Sequence, residues 1–331
     1  MSRLSNIGSG SDLLPLRTKA VQDAPRSLAS SPAAFLHYMC GPIEPTPLIF
    51  RAAEQSREPG RTRDLEFLQT LRAAGDRMVE IEAGRDVDLD ECLHLPHDHR
   101  VTVPLNTYLD WLCDGTAEFP QASWYLAQWY AQDEVPGMRD AVRAPSLLTP
   151  LIEDSKADMY RCGFFIGPPT AMSPLHSDPY CNLYTLHASS DASAHAKHWL
   201  LLPPSLGRLL SPPSHGYGQP NMSPLDCRLR RRQDEDGGFD VLMDRTSVPG
   251  QTAQDVLDTG VALSCVIREG DMLFVPRRWW HRVENVVLQG EGARTEGTQN
   301  VRQSGRSLGW TVGVGWWFLP RSVQHTPWRP C

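Results

Sequence analysis

The sequence predicts a mainly β protein with flanking helices, a β-sandwich or barrel core behind an extension of mixed helices and strands. Two observations carry this. After about residue 158, short apolar runs rich in Val, Ile, Phe, Trp and Leu alternate with Gly- and Pro-containing turns. Before that point, helical spacing and strand alternation follow one another. With 331 residues, 40% of them hydrophobic and 21% charged, the chain is long enough for one large or two ordinary domains around a normal soluble core.

Residues 1–23 are expected to be a disordered tail, because MSRLSNIGSGSDLLPLRTKA lacks the apolar stretch of a secretory signal. An N-terminal α/β extension then runs over 24–145. SSPAAFLHYM (30–39) reads as a helix entered through serine and proline, and PLIFRA (47–52) as a strand. In TRDLEFLQTLRAAGD (62–76), Leu65, Leu68 and Leu71 recur every third residue, so an amphipathic helix should end near Gly75. VEIEAG (79–84) alternates apolar and acidic residues, as a half-buried strand does. VPLNTYLDWLCDG (103–115) predicts a helix capped by Asn106, SWYLAQWY (123–130) a strand, and EVPGMRDAV (134–142) a short helix.

The core is placed at 146–320, followed by a C-terminal tail at 321–331. Its strands are expected at 158–166, 173–178, 181–188, 196–202, 261–268, 271–275, 281–287 and 308–318. Two polar, Gly-rich stretches, 204–258 and 288–306, read as insertions between core strands, and long loops of this kind are either functional or disordered.

Composition excludes several classes. The net charge of −7 and pI near 5.9 leave no basic footprint for naked nucleic acid. No apolar run approaches the roughly 20 residues that span a bilayer. RLRRR (228–232) is followed at once by acidic QDEDGG, so a solvated loop with neutralised charges is preferred to an import signal. Eight cysteines lie scattered without a C-x-x-C pair, which points to reduced thiols and a nuclear or cytoplasmic location. Cys331 ends the chain and so cannot start a four-residue prenylation box. His94, His97 and His99 cluster beside Pro and Asp in what reads as a surface loop rather than a zinc site.

The chemistry is concentrated in two segments, SPLHSDPYCN and GDMLFVPRRWWHRV. Residues i and i+2 on a strand share a face, so His176 and Asp178 can reach one ion together. His281 would complete the two-histidine, one-carboxylate facial triad of non-haem Fe(II) oxygenases, with three octahedral positions left open. The same ligands also suit Mn, Co, Ni and Zn.

These segments, taken with SWYLAQWY, EVPGMRDAV, FFIGPPTAMSPLHSDPYCNL (164–183), HAKHWLLLP (195–203) and VGVGWWF (312–318), resemble the Jumonji-C family, in particular its small hydroxylase branch. The resemblance covers nearly the whole chain beyond the tail. It implies a double-stranded β-helix, the jelly-roll or cupin core, that encloses a site between two sheets. It also implies Fe(II), 2-oxoglutarate and O2 as cofactor and co-substrates, with succinate and CO2 released as a substrate C–H is hydroxylated. By resemblance, His176, Asp178 and His281 hold the metal. Lys197 takes the distal carboxylate of 2-oxoglutarate, helped by the hydroxyls of Tyr125 and Ser173. Asn182 lies by the metal-bound end, and Trp316 walls the pocket. A lysine exposed at a strand end is the alternative for Lys197, with His198 or Arg161 next in line for its role. Gln128, Phe165 and Trp279 are expected to line the substrate pocket, Phe165 standing where close relatives carry Trp. The expected substrate is an arginine or lysine side chain of a basic protein or peptide, with no membrane or direct nucleic-acid partner. Demethylation of histone methyl-lysine, hydroxylation of tRNA, and a non-catalytic cupin-like binding role are the alternatives.

Overall fold

Two large sheets stacked face to face, each covered on its outer side, frame the interior of the molecule. The computed structural model describes residues 13–52, 62–85, 100–114, 122–169, 171–211, 221–232, 238–244, 247, 250–288 and 309–321. The His94, His97 and His99 cluster, nearly all of 288–306 and most of the C-terminal tail lie outside them.

The described chain opens with three short strands, β1 (Leu13–Leu16), β2 (Lys19–Ala20) and β3 (Gln22–Asp23). This corrects the expectation of a disordered tail reaching residue 23. Each strand borrows a partner distant in sequence, which local composition cannot reveal. There follow α1 (Arg26–Ala29), α2 (Pro32–Cys40) and β4 (Leu48–Phe50). The Ser31 hydroxyl caps α2 by accepting the Ala34 amide at 3.2 Å, and Pro32 occupies the first helical position. The extension continues through α3 (Thr62–Ala73), β5 (Met78–Arg85), β6 (Arg100–Pro104), α4 (Leu105–Asp114), β7 (Ala122–Trp129), α5 (Ala131–Glu134), α6 (Met138–Ala141) and α7 (Thr149–Glu153). Asn106 is not the cap of α4 but its second residue; its amide donates to the Gly75 carbonyl at 2.9 Å and its side chain lies against Gly75.

The core strands are β8 (Ala157–Gly167), β9 (Met172–Ser177), β10 (Cys181–Ser189) and β11 (His195–Leu202). Beyond a 3-10 turn at Pro204–Leu206 come α8 (Gly207–Leu210), β12 (Cys227–Arg231), β13 (Phe239–Asp244) and α9 (Gly250–Thr259). The core closes with β14 (Leu263–Ile267), β15 (Met272–Val275), β16 (Trp280–Val287) and β17 (Thr311–Pro320). All eight expected core strands form, each within three residues of its expected ends.

A nine-stranded sheet in the order β3-β4-β15-β10-β17-β8-β7-β5-β6 faces a five-stranded sheet in the order β2-β14-β11-β16-β9. This is the jelly-roll arrangement, and the strands of the extension continue its larger sheet. Alternation along each strand sorts side chains into layers. Leu183, Val312, Val314 and Phe318 pack outward under Phe35 of α2, Phe67 of α3 and Tyr108 of α4. Leu200, Leu202 and Trp280 face outward from the smaller sheet, against Leu206, Leu210, Val241, Met243, Ala253 and Val256 of the 204–258 insertion. The described part of that insertion is therefore folded: its β12 and β13 form a three-stranded sheet with β1 from the start of the described chain, with helices beside it. The RLRRR stretch is accordingly mostly strand rather than loop, and its charges are met: Arg230 bonds Asp240 at 2.9 Å, and Arg228 lies 3.7 Å from Asp226 and Asp244. Between the two large sheets lie Ile49, Tyr184, Leu186, Trp199, Leu201, Ile267, Leu273, Trp279 and Val283.

Candidate metal centre and the pocket behind it

Strands β9 and β16 pair antiparallel with His176 directly opposite His281. Their ring centroids are 4.2 Å apart, and Asp178, just past the end of β9, brings Oδ2 within 3.8 Å of His281 Nε2. One ligand atom from each of the three residues fits within a 4.8 Å span. Each imidazole is oriented by the carbonyl two residues before it. His176 Nδ1 donates to Pro174 O at 2.7 Å, and His281 Nδ1 donates to Trp279 O at 2.9 Å. A carbonyl only accepts, so both Nε2 atoms carry the lone pair that a metal requires. Burial, with His176 beside it, pulls the His281 imidazole down to about 4, so it is neutral at physiological pH.

Asp178 is held from two sides. Its Oδ2 accepts Trp317 Nε1 at 2.8 Å, and its backbone carbonyl accepts the Arg278 amide at 2.7 Å. Arg278 has φ 66°, a left-handed conformation uncommon for a residue with a side chain, in the turn that leads into β16. Two His and one carboxylate, pre-oriented, make a candidate site for a divalent transition metal, a ligand set that leaves coordination positions open.

Deeper between the sheets is a group of polar atoms with nothing to bond. Lys197 on β11 is completely buried and its Nζ has no hydrogen-bond partner; burial alone pulls its ammonium down to about 7. The Nζ lies 5.9 Å from the ring centres of both Tyr125 and Tyr184. Asn182 Oδ1, Tyr184 Oη and Trp199 Nε1 are likewise buried and unpartnered. Tyr125 and Ser173 hydrogen-bond each other. A buried ammonium without a partner, with two tyrosine rings beside it, fits a carboxylate-bearing ligand.

The structure thus gathers His176, Asp178, His281, Tyr125, Ser173, Asn182 and Lys197 between the sheets. Ser173 and His176 share the inner face despite their odd spacing, because the β9–β16 register shifts between His281 and Val283. Lys197 is no exposed strand-end lysine. His198 points outward toward Phe239, and exposed Arg161 stacks over Tyr130, so neither can replace it. Phe165 lies half-buried beside Tyr184 and Trp317, and Trp279 is buried in the inner core. Gln128 stands exposed in a bulge of β7 at φ 58°. Trp316 is turned the other way, into the core under the helices, where it lines an open cavity of about 630 Å3 with Arg139, Arg143 and Thr149. The indole that reaches the metal centre is Trp317.

Sequence reasoning missed Trp317 and Tyr184, each of which shares strand parity with residues that the fold turns inward. Tyr184 is two residues beyond Asn182. Trp317 follows Gly313 and Gly315 at the same spacing, and both glycines clear space for inner-face side chains.

A family model described as Cupin-like domain matches residues 43–323. Among curated proteins, lysine-specific demethylase JMJ30 of Arabidopsis thaliana is 24% identical over 284 residues, covering 83% of this chain and 55% of that protein. Lysine-specific demethylase 8 of Danio rerio is 24% identical over 224 residues, covering 68% of this chain and 46% of that protein. The chain spans about half the length of these relatives.

Proposed function

We propose, from the premise that this chain belongs to the Cupin-like domain family in its Jumonji-C form, that it is an Fe(II)- and 2-oxoglutarate-dependent oxygenase that hydroxylates a protein side chain. The observation that carries the proposal is Lys197, a fully buried ammonium without an anion, in the same inter-sheet space as a pre-oriented His-Asp-His triad. A buried cation is costly unless something pairs with it, and a dicarboxylate that also reaches the metal would do so.

In this reading His176, Asp178 and His281 hold Fe(II), Lys197 receives the distal carboxylate with help from Tyr125 and Ser173, and Asn182 lies toward the metal-bound end. Iron with 2-oxoglutarate supplies the activation of O2 needed to oxidise an unreactive C–H bond. The chain's own residues orient and exclude. Trp317 and the Arg278 amide fix the carboxylate ligand, the Pro174 and Trp279 carbonyls fix the imidazoles, and Trp199, Phe165 and Trp279 keep the space apolar.

The substrate we favour is an arginine or lysine side chain in a basic segment of a protein in the nucleus or cytoplasm, since a net charge of −7 accelerates encounter with basic partners. The test is succinate release from 2-oxoglutarate with Fe(II), followed by mass spectrometry of treated basic peptides. Hydroxylation adds about 16 Da, the mass of one oxygen atom, at the metal centre. A loss of methyl groups from methyl-lysine peptides would replace hydroxylation by demethylation, oxidation confined to tRNA would move the substrate class, and iron binding without any 2-oxoglutarate turnover would leave a non-catalytic binding protein.

A further inference from the structure

Two phenols flank Lys197, and they are in different states. The Tyr125 hydroxyl is engaged with Ser173. The Tyr184 hydroxyl is buried and has no partner. Its ring is clamped edge-on by Trp199 at 4.8 Å and tilted against Phe165 at 5.7 Å, so it cannot readily swing away to find one. The neighbouring strand of the same sheet, β17, is cut back to admit it. A Cβ on Gly313 would lie 1.6 Å from the Tyr184 hydroxyl oxygen and 2.3 Å from the ring carbon that bears it. The fold therefore sets aside space for a hydroxyl that forms no bond, where phenylalanine would fill the same apolar shape without an unsatisfied group. The ring that carries this hydroxyl lies 5.9 Å from the Lys197 nitrogen, which is also unpartnered.

We propose that the Tyr184 hydroxyl is a direct ligand of the distal carboxylate of the co-substrate, donating a hydrogen bond to the anion that Lys197 neutralises, and that Gly313 exists in its present form to seat it. This rests on the co-substrate reading above. The Tyr125–Ser173 pair then forms one wall of the carboxylate pocket and Tyr184 the other.

The experiment titrates the full chain, loaded with Mn(II) and kept anaerobic so that nothing turns over, with 2-oxoglutarate and with 2-oxopentanoate. The second ligand has the same carbon chain and metal-chelating end but lacks the distal carboxylate. Tyr184→Phe should weaken 2-oxoglutarate about tenfold or more, the usual effect of losing a hydrogen bond to a charged group. It should leave 2-oxopentanoate and Mn(II) binding unchanged and should not lower the melting temperature. Equal 2-oxoglutarate affinity in wild type and Tyr184→Phe would overturn the proposal, as would equal weakening of both ligands, which is what a merely structural role predicts. Lys197→Ala separates the two levels. If it loses 2-oxoglutarate while Tyr184→Phe keeps it, the co-substrate reading stands and the Tyr184 assignment alone falls. If the wild type binds Mn(II) but neither ligand, both fall together.

Discussion

Two buried cations lie on opposite faces of the same five-stranded sheet and have opposite surroundings. Arg282 on β16 faces outward beneath the 204–258 insertion, with its Nη1 2.6 Å from Glu284 and the Asp226 carboxylate in its field. Lys197 on β11 faces inward, with the Tyr125 and Tyr184 rings each 5.9 Å from its nitrogen and no hydrogen-bond partner. The outward cation was given its counter-charges by the fold itself; it ties the insertion to the sheet. The inward cation was left without one, and that difference is what the proposed co-substrate site rests on.

The sharpest break of this comparison is at the triad. His176→Ala, Asp178→Ala and His281→Ala should each abolish stoichiometric metal binding while leaving the circular dichroism spectrum intact, because the inner-face ligands do not hold the sheets together. Full metal content in any of them, by elemental analysis, would remove that residue from the site.

The cations themselves come next. Lys197→Met should lose 2-oxoglutarate binding about ten- to a hundredfold yet raise the stability of the ligand-free protein by about 2 kcal/mol, since an unpaired buried charge is removed. Glu284→Ala should do the reverse, costing about 2 kcal/mol, less than a fully buried pair because Glu284 is partly exposed, with the ligand titration unaltered. Denaturant melts beside calorimetric titrations would show whether the two variants part in this way. Destabilisation by both would mean that Lys197 is architectural too.

The paired tryptophans of β17 make a smaller contrast on the larger sheet. Trp317→Phe removes the donor to Asp178 and should weaken metal binding about tenfold or more. Trp316→Phe touches only the helix-side core and should alter the melting temperature with no change in metal affinity.

The mildest effect is that of pH. The Lys197 ammonium is lowered from its ordinary 10.5 to about 7 in the ligand-free fold. Between pH 7 and 10.5 the unfolded chain therefore binds more protons than the native one, and this residue makes ligand-free stability rise with pH across that window. A bound carboxylate restores the charge. Binding of 2-oxoglutarate above pH 7 should accordingly take up a proton and weaken as pH increases, by at most about tenfold per unit. Calorimetry in buffers of different ionisation heats reads the proton directly, and an uptake of zero at pH 8 would show that Lys197 is already charged.

By itself the sequence picked out the His-Asp-His group that the fold brings together, the eight core strands and the anomaly of a lysine in an apolar strand. Each depends on local chemistry: a period of two, a turn residue, a charge among Val, Leu and Trp. Tertiary structure decided which way the strands face and what covers them. Parity places Trp316 and Trp317 on opposite sides, but only packing says which side is inner. The register shift opposite His281 puts Ser173 and His176 on one face against the expectation of strict alternation. Residues 13–23 and 204–258 carry the composition of loops, yet they pair or pack with partners far away in the chain. A composition too polar to build a core alone still suffices to cover one, since each segment then needs to bury only a single face, and no window of sequence contains the partner that supplies the other.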